Sequence, residues 1–462
     1  MRFLFATIQS FESDFYGTVG VELSRRGHAI SHVTVSRHSS QALRDRGFEA
    51  FCLPDLIAEL PPFDVAAERT RIESRYSLPS IRDVYRIDPA SEGRAEDWCV
   101  RRTVRHFLAL ERLFDRVRPD VLVPEVGTEL LRTVAHHVAL ARRIPTLFLF
   151  YTIFPRPLRL YVDTLDAPIV ARDEVRPLNA EERQEVEGFI AEFTARREPI
   201  RAHRPVLATR RRIAQAREYI GARAGPDKDN EYLHPWRWTG EHVLGWGRAL
   251  TARAFYRTPR PGRPYVYFPL HVTDDFKIKR VIPHCSDQAA IVELIAEALP
   301  PGYDLVLKEH PLSIGRNPLS FLRRVQRPSN VYIVPPHTSS HDLIESAAAV
   351  AVISSTVGLE ALLYEKPVLT VGHPFYSGYG VTLDVSSFAE LRELVPALLR
   401  FEPDRETILR LLHAAMRRCR PGAPVLVDRS DENALRLARS LEEAAQETVA
   451  TRPAAAVLAG SG

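Results

Sequence analysis

Short apolar runs alternate with amphipathic stretches over the first 170 residues. The runs FLFATI (3–8), AISHVTV (29–35), FEAFCLPD (48–55), DVLVPEV (120–126) and TLFLFYT (146–152) have the length of buried strands. YGTVGVELSRRG (16–27) and the long stretch before residue 120 carry helical spacing instead. This rhythm predicts a parallel sheet covered on both faces. From about 175 to 260 the text changes to Arg- and Glu-rich helical sequence, NAEERQEVEGFIAEFTARREPI and RRRIAQAREYIGARAG, read as helices that bridge two domains.

RTPRPGRPYVYFPL (257–270) resets the pattern. Strands are predicted at YVYFPL, DLVLKEH, VYIVPP, AVAVISS and PVLTVG, and helices at DQAAIVELIAEAL, LSFLRRV, SHDLIESA and TVGLEALLY. The prediction is a second doubly wound α/β domain. ENALRLARSLEEAAQ (432–446) reads as a closing helix, and the residues after it as a disordered tail.

The composition fits this picture: 462 residues, 45% of them hydrophobic, can fill two cores. A net charge of +4 is too mild to indicate nucleic-acid binding. Cys52, Cys99, Cys285 and Cys419 show neither zinc-ligand nor disulfide spacing, so a reducing cytoplasm is expected. No apolar run is long enough to span a membrane, which leaves peripheral contact through Arg-rich surface. Lysine occurs only at 228, 277, 279, 308 and 366, so each one draws attention.

Ligands of open parallel sheets bind outside the carboxyl ends of the strands. In the second half those ends carry His271, Thr273, Asp274 and Asp275; Lys308, Glu309, His310 and Pro311; Ser354, Ser355 and Thr356; and His373 and Tyr376. Three hydroxyl residues where a strand hands over to a helix suit a phosphate, because unpaired N–H groups and the helix dipole face the same point. A single Ser there could equally be an N-cap. Glu360, on the following helix, is placed either on a ribose or on an exposed helix face. In the first half, Glu12, Asp14, Glu125, Asp163 and Asp166 lie on loops after strands, where a carboxylate can move a proton or attack. P-loop, G-x-S-x-G and H-E-x-x-H motifs are absent.

Taken together, YVYFPLHVTDDFKI, DLVLKEHP, AVISSTVGLEALLYEKPVLTVG and HPFYSGYGVTLD resemble the bacterial capsule polysaccharide biosynthesis family, which includes Kdo transferases. The resemblance implies a GT-B-like fold, two doubly wound Rossmann-like domains facing a cleft. An acceptor-side domain would span 1–172, connecting helices 173–262, a nucleotide-sugar donor domain 263–430, a closing helix 431–446 and a disordered tail 447–462. It further implies that His310 and Pro311 of KEHP and Ser354, Ser355 and Thr356 hold the phosphate of a CMP-sugar; Lys308 and Glu360 join the donor site, and Asp14, Asp274 and Tyr376 the substrate contacts, from their places near strand ends.

FYTIFPRPLRLYVDTLDAP (150–168) stands where the family has Glu-Asn-Gly, then Pro, then Asp, with Tyr151, Thr152 and Ile153 replacing the first three. Asp163 takes the nucleophile's place and Glu125 the acid/base's. The implied reaction is retaining transfer of Kdo from CMP-Kdo to a surface glycan or glycolipid, with no metal and no cofactor besides the donor. The enzyme would sit in the cytoplasm or at the periphery of the inner membrane. A UDP- or GDP-sugar transferase, a UDP-sugar 2-epimerase and a non-catalytic scaffold are the alternatives.

Overall fold

The computed structural model describes residues 1–166, 170–197, 217, 219–221, 224–225, 227–272 and 275–451. Asp274, most of RRRIAQAREYIGARAG and the tail beyond 451 lie outside the described residues.

The first domain is built on strands β1 (Arg2–Thr7), β2 (Ala29–Thr34), β3 (Glu49–Cys52) and β4 (Val121–Pro124), in the order β3-β2-β1-β4. All pairs are parallel. Phe3 and Phe5 join one core cluster and Leu4 and Ala6 another, so alternate side chains of β1 fill both faces. Burial on two sides is why the run is apolar throughout rather than alternating.

TLFLFYT departs from the prediction. Its strand, β5 (Leu147–Tyr151), pairs antiparallel with β6 (Leu158–Val162) and meets β4 through a bridge between Leu122 and Thr146. Pro155 and Pro157 sit in the connection, which closes with the Thr152 N–H donating to the Pro157 carbonyl at 2.8 Å. A strand followed by so short a return can only pair back on itself.

The second domain carries β7 (Tyr265–Pro269), β8 (Asp304–Lys308), β9 (Val331–Val334), β10 (Ala349–Val352), β11 (Val368–Thr370) and β12 (Leu383–Asp384). Their order is β12-β11-β10-β7-β8-β9, parallel throughout. Tyr267, Val350 and Val352 pack on one face of this sheet, and Val266, Phe268, Ala349 and Ala351 on the other.

The linking segments belong to both bodies. The helix Ala180–Arg196 contributes Val186 and Phe189 to the second domain's core. Buried Asp227 instead grips the first domain, accepting from the Ser36 hydroxyl at 2.7 Å. The closing helix runs Asp431–Thr451, past its expected end at 446, and returns to the first domain. There Leu437, Leu441 and Ala445 join Phe3 and Phe5. Two parallel α/β domains with such a return helix make the GT-B-like architecture that the sequence implies. Across the cleft, the rings of Phe150 and Phe276 stand 5.8 Å apart, and an Arg280 guanidinium N–H points at the Gly127 carbonyl, 3.4 Å away.

Candidate active site

In each sheet the strand order reverses direction once, between β1 and β4 and between β7 and β10, and such switch points open a crevice at the carboxyl ends. His271 follows β7 and Ser354 follows β10. The two meet across the second crevice, the Ser354 N–H donating to His271 Nε2 at 3.2 Å. Burial, with nearby Lys277 and His310, pushes this imidazole down to about 3, so it stays neutral and keeps an acceptor nitrogen. Buried Gln288 fixes its backbone from both sides.

β10 is wholly buried and ends where the three hydroxyl residues begin. Ser355 has extended dihedrals and caps the helix Thr356–Leu363, its Oγ accepting from the Val357 N–H at 3.2 Å. The Tyr376 hydroxyl donates to the Ser355 carbonyl and lies over the helix start. That approach needs Gly358, because a Cβ there would stand 2.2 Å from the Tyr376 oxygen. The cap reading of the hydroxyl triplet holds for Ser355. Ser355 is a cap, the Ser354 amide is taken by His271, and among the described residues the amides of Ser355 and Thr356 have no protein partner.

A pocket of about 50 Å³ opens at this point, lined by Ser354, Ser355, Thr356 and Tyr376 from the second domain and by Tyr161, Leu165 and Asp166 from the first. Lys277 and His373 complete its polar wall. Lys277 begins a short π-helical turn, Lys277–Val281, and burial lowers its pKa. Desolvation raises the Asp166 carboxyl, opposed by His373 and His284. The site thus sets an acid from one domain against hydroxyls, amides, a lysine and an imidazole from the other.

Not all the expected residues reach it. Lys308 and Glu360 lie in the layer behind. The Lys308 ammonium donates to the Ser340 hydroxyl at 2.7 Å, and burial pushes Glu360 up to about 7 against the pull of Lys308 and Thr356. His310 caps a turn, its Nδ1 accepting from the Leu312 N–H at 3.1 Å, and Pro311 begins that turn. Asp14 is exposed on the helix Ser10–Arg25.

The two acids of the LYVDTLDAP loop have different roles. Asp163 has a left-handed backbone, with φ at 63°, and its carboxylate accepts from the Thr146 N–H at 2.8 Å. It pins β6 to the start of β5, so the place in the pocket expected for Asp163 falls to Asp166. Asp166 is among the loop carboxylates that the sequence singles out, whereas Lys277 has no site role there, its one signal being that it is one of five lysines.

At the first switch point Glu125 follows β4 and is buried, accepting from the Tyr16 hydroxyl. Beside it both oxygens of Glu12 accept from one Arg132 nitrogen at 2.7 Å, and one of them also accepts from the amides of Ile8 and Gln9. Desolvation and the charge of Glu12 push Glu125 up to about 7. This carboxyl is poised to hold or release a proton near neutrality.

A larger cavity, about 580 Å³, lies beyond the ends of β2 and β3, with Val35, Leu53, Phe63, Arg105 and Tyr232 in its walls. Tyr232 is fixed there, donating to Asp88 at 2.8 Å and accepting from the Leu130 amide at 3.0 Å.

Residues 225–413 match the family described as capsule polysaccharide biosynthesis protein. The capsule polysaccharide modification protein LipA of Neisseria meningitidis is 25% identical over 155 residues, which make up 32% of this chain and 22% of that protein. Protein FixF of Sinorhizobium fredii is 30% identical over 171 residues, 34% of this chain and 39% of that one. The chain therefore spans well under half of these relatives. Among solved structures, KpsC of Thermosulfurimonas dismutans, a beta Kdo 2,4 transferase, aligns with 18% identity and a TM-score of 0.38 over 64% of this chain and 79% of that one.

Proposed function

We propose that the protein is a glycosyltransferase of bacterial capsule or related surface polysaccharide synthesis, taking a nucleotide-activated sugar, with CMP-Kdo as the donor best suited to the site. The observation that carries this reading is the helix start at Ser355 and Thr356, which lies at a sheet switch point and faces Asp166 of the other domain. The family match over residues 225–413 and the likeness to LipA support the capsule assignment.

In this reading the donor phosphate sits at the Ser355 and Thr356 amides, with the hydroxyls of Ser354 and Thr356 and the Lys277 ammonium around it. These groups stabilise the charge that grows as CMP leaves. An ulosonic acid carries a carboxylate beside its anomeric carbon, and Lys277 and the His373 ring lie within the same pocket. Asp166 attacks the anomeric carbon as the bond to CMP breaks, giving a glycosyl ester. An acceptor hydroxyl then displaces Asp166, its proton passing to a base, the role that the family resemblance gives Glu125. Two inversions give net retention.

The test is a thermal-shift titration with CMP, UDP and GDP, followed by turnover of CMP-Kdo with wild type and Asp166→Asn. The expected result is a shift with CMP, kept in the variant, and loss of turnover. A shift with UDP alone moves the reading to a UDP-sugar enzyme, and none with any nucleotide moves it to a scaffold.

A further inference from the structure

The helix Pro235–Ala252 carries its large apolar residues on the wrong side for a helix of a soluble domain. Its inner side carries Gly245, Ala249 and Ala252, with Trp238 half-buried against Tyr219 and His242. Gly245 lies so close to the turn at Gly315 that a Cβ on Gly315 would stand 2.1 Å from the Gly245 carbonyl oxygen, and Ala252 is buried in the second domain's core. On the outer side Trp236, Val243 and Leu250 recur every seven residues, which is one face at helical pitch. They are 84%, 66% and 42% exposed. Leu244 and Trp246 widen the same face, at 60% and 53%. A helix docked on its own protein normally buries such residues and exposes polar ones.

The charge beside this face is one-sided. From His242 to Val272 the chain has no acidic residue and five arginines, Arg248, Arg253, Arg257, Arg260 and Arg263. Arg253, Arg257 and Arg260 are exposed, just past the helix end. An apolar helical face with tryptophans, bordered by cations, fits the boundary between headgroups and acyl chains of an anionic bilayer. A second copy of the chain fits poorly, because a twofold contact on this face would bring the two arginine clusters together.

We propose that the Pro235–Ala252 helix is an interfacial membrane anchor, lying in the surface of a bilayer that contains anionic lipid with Trp236, Val243, Leu244, Trp246 and Leu250 inserted. Among the described residues no helix is long and apolar enough to cross a membrane, so the contact would be peripheral. It is independent of which sugar the enzyme transfers.

Three of the chain's four tryptophans lie on this helix, so a Trp98→Phe variant makes emission report on it alone. The experiment adds vesicles of phosphatidylcholine, with or without phosphatidylglycerol, to the full chain. It follows co-sedimentation, and also quenching by lipids brominated in their acyl chains. Binding to the anionic vesicles, quenching, and weakening by salt are expected. Val243→Glu should lower partitioning by at least about tenfold, as removal of one buried apolar side chain does, with the melting temperature unchanged. Should that variant fold poorly, Trp236→Ser at the most exposed position gives the same comparison. The proposal is overturned if the protein leaves both vesicle types unbound, if it binds without quenching, or if the variants bind like wild type. A dimer that Val243→Glu dissociates would also overturn it, by assigning the face to a second copy.

Discussion

Asp163 and Thr146 hold each other by two hydrogen bonds. The Thr146 N–H donates to the Asp163 carboxylate at 2.8 Å, and the Asp163 N–H donates to the Thr146 carbonyl at 2.9 Å. The pair sets where β6 ends and so where the following loop presents Asp166. Asn tolerates the left-handed backbone and keeps an acceptor, so Asp163→Asn should retain most of the turnover and stability. Asp163→Ala loses both and should cost about 1–2 kcal/mol. Asp166→Asn should lower turnover about a thousandfold with donor binding kept. Steady-state rates beside denaturant melts separate these effects, and the reverse ranking would return the nucleophile's role to Asp163.

Ser355 has a second duty as helix cap, which Ser354 does not share. Ser355→Ala should therefore cost about 1 kcal/mol of stability as well as weakening nucleotide binding. Ser354→Ala should weaken binding with little change in melting. Titration calorimetry with CMP, read against melting curves for both variants, checks the split.

Gly358 is required by Tyr376 rather than by backbone freedom, since a Cβ would stand 2.2 Å from the hydroxyl oxygen and 2.9 Å from the ring carbon bearing it. Gly358→Ala should cost about 1–3 kcal/mol and displace the ring from the helix start. Adding Tyr376→Phe should recover part of that loss, because the nearer clash disappears. If the double variant melts no higher than Gly358→Ala alone, the oxygen contact is not the cause.

The pH dependence follows from buried titrating groups. Burial holds His32, His106, His136 and His271 at about 3 and His137 at about 4. Below about 6.5 the unfolded chain takes up protons that these folded imidazoles refuse, so stability falls as pH drops from there towards 3. Glu125 and Glu360, raised to about 7, act in the opposite sense. They favour the fold at low pH, and that contribution is lost as pH rises from about 4.5 through 7. Among the groups with large shifts the imidazoles outnumber the raised carboxyls, which makes acid the weaker side. Denaturant melts should show a steady decline from pH 6.5 to 4.5. His32→Leu should reduce it, since both His32 nitrogens are buried without a partner among the described residues. Glu360→Gln should help more at pH 8 than at pH 5.

The strands of both sheets other than β12 were legible in the sequence, because burial on two faces makes most of them read as short apolar runs. Leu383–Asp384 is a half-buried edge pair with no such signal. The β5–β6 hairpin was not legible either, since TLFLFYT looks the same whether its partner runs parallel or antiparallel, and only the proline-rich return decides. Within the site, Ser354 to Thr356 could be read from their place at a strand end. Glu360 could not, because a helix position does not tell which face is covered, and the structure buries it. Choosing between Asp163 and Asp166 needed the backbone. Three residues along an irregular loop turn one carboxylate towards a strand and the other towards the cleft, and no periodicity governs that.

The return of the helix Asp431–Thr451 has a consequence for synthesis on the ribosome. Phe3 and Phe5 emerge well before Leu437, Leu441 and Ala445, which help cover one face of their sheet. For the time it takes to make more than four hundred residues, Tyr16, Val19 and Leu23 cover that face without the closing helix. The second domain can finish its own core in the meantime, since its strands are close in sequence. The order of completion is then the reverse of the order of appearance. A chain cut before residue 431 would hold a finished second domain beside a first one that is prone to aggregate.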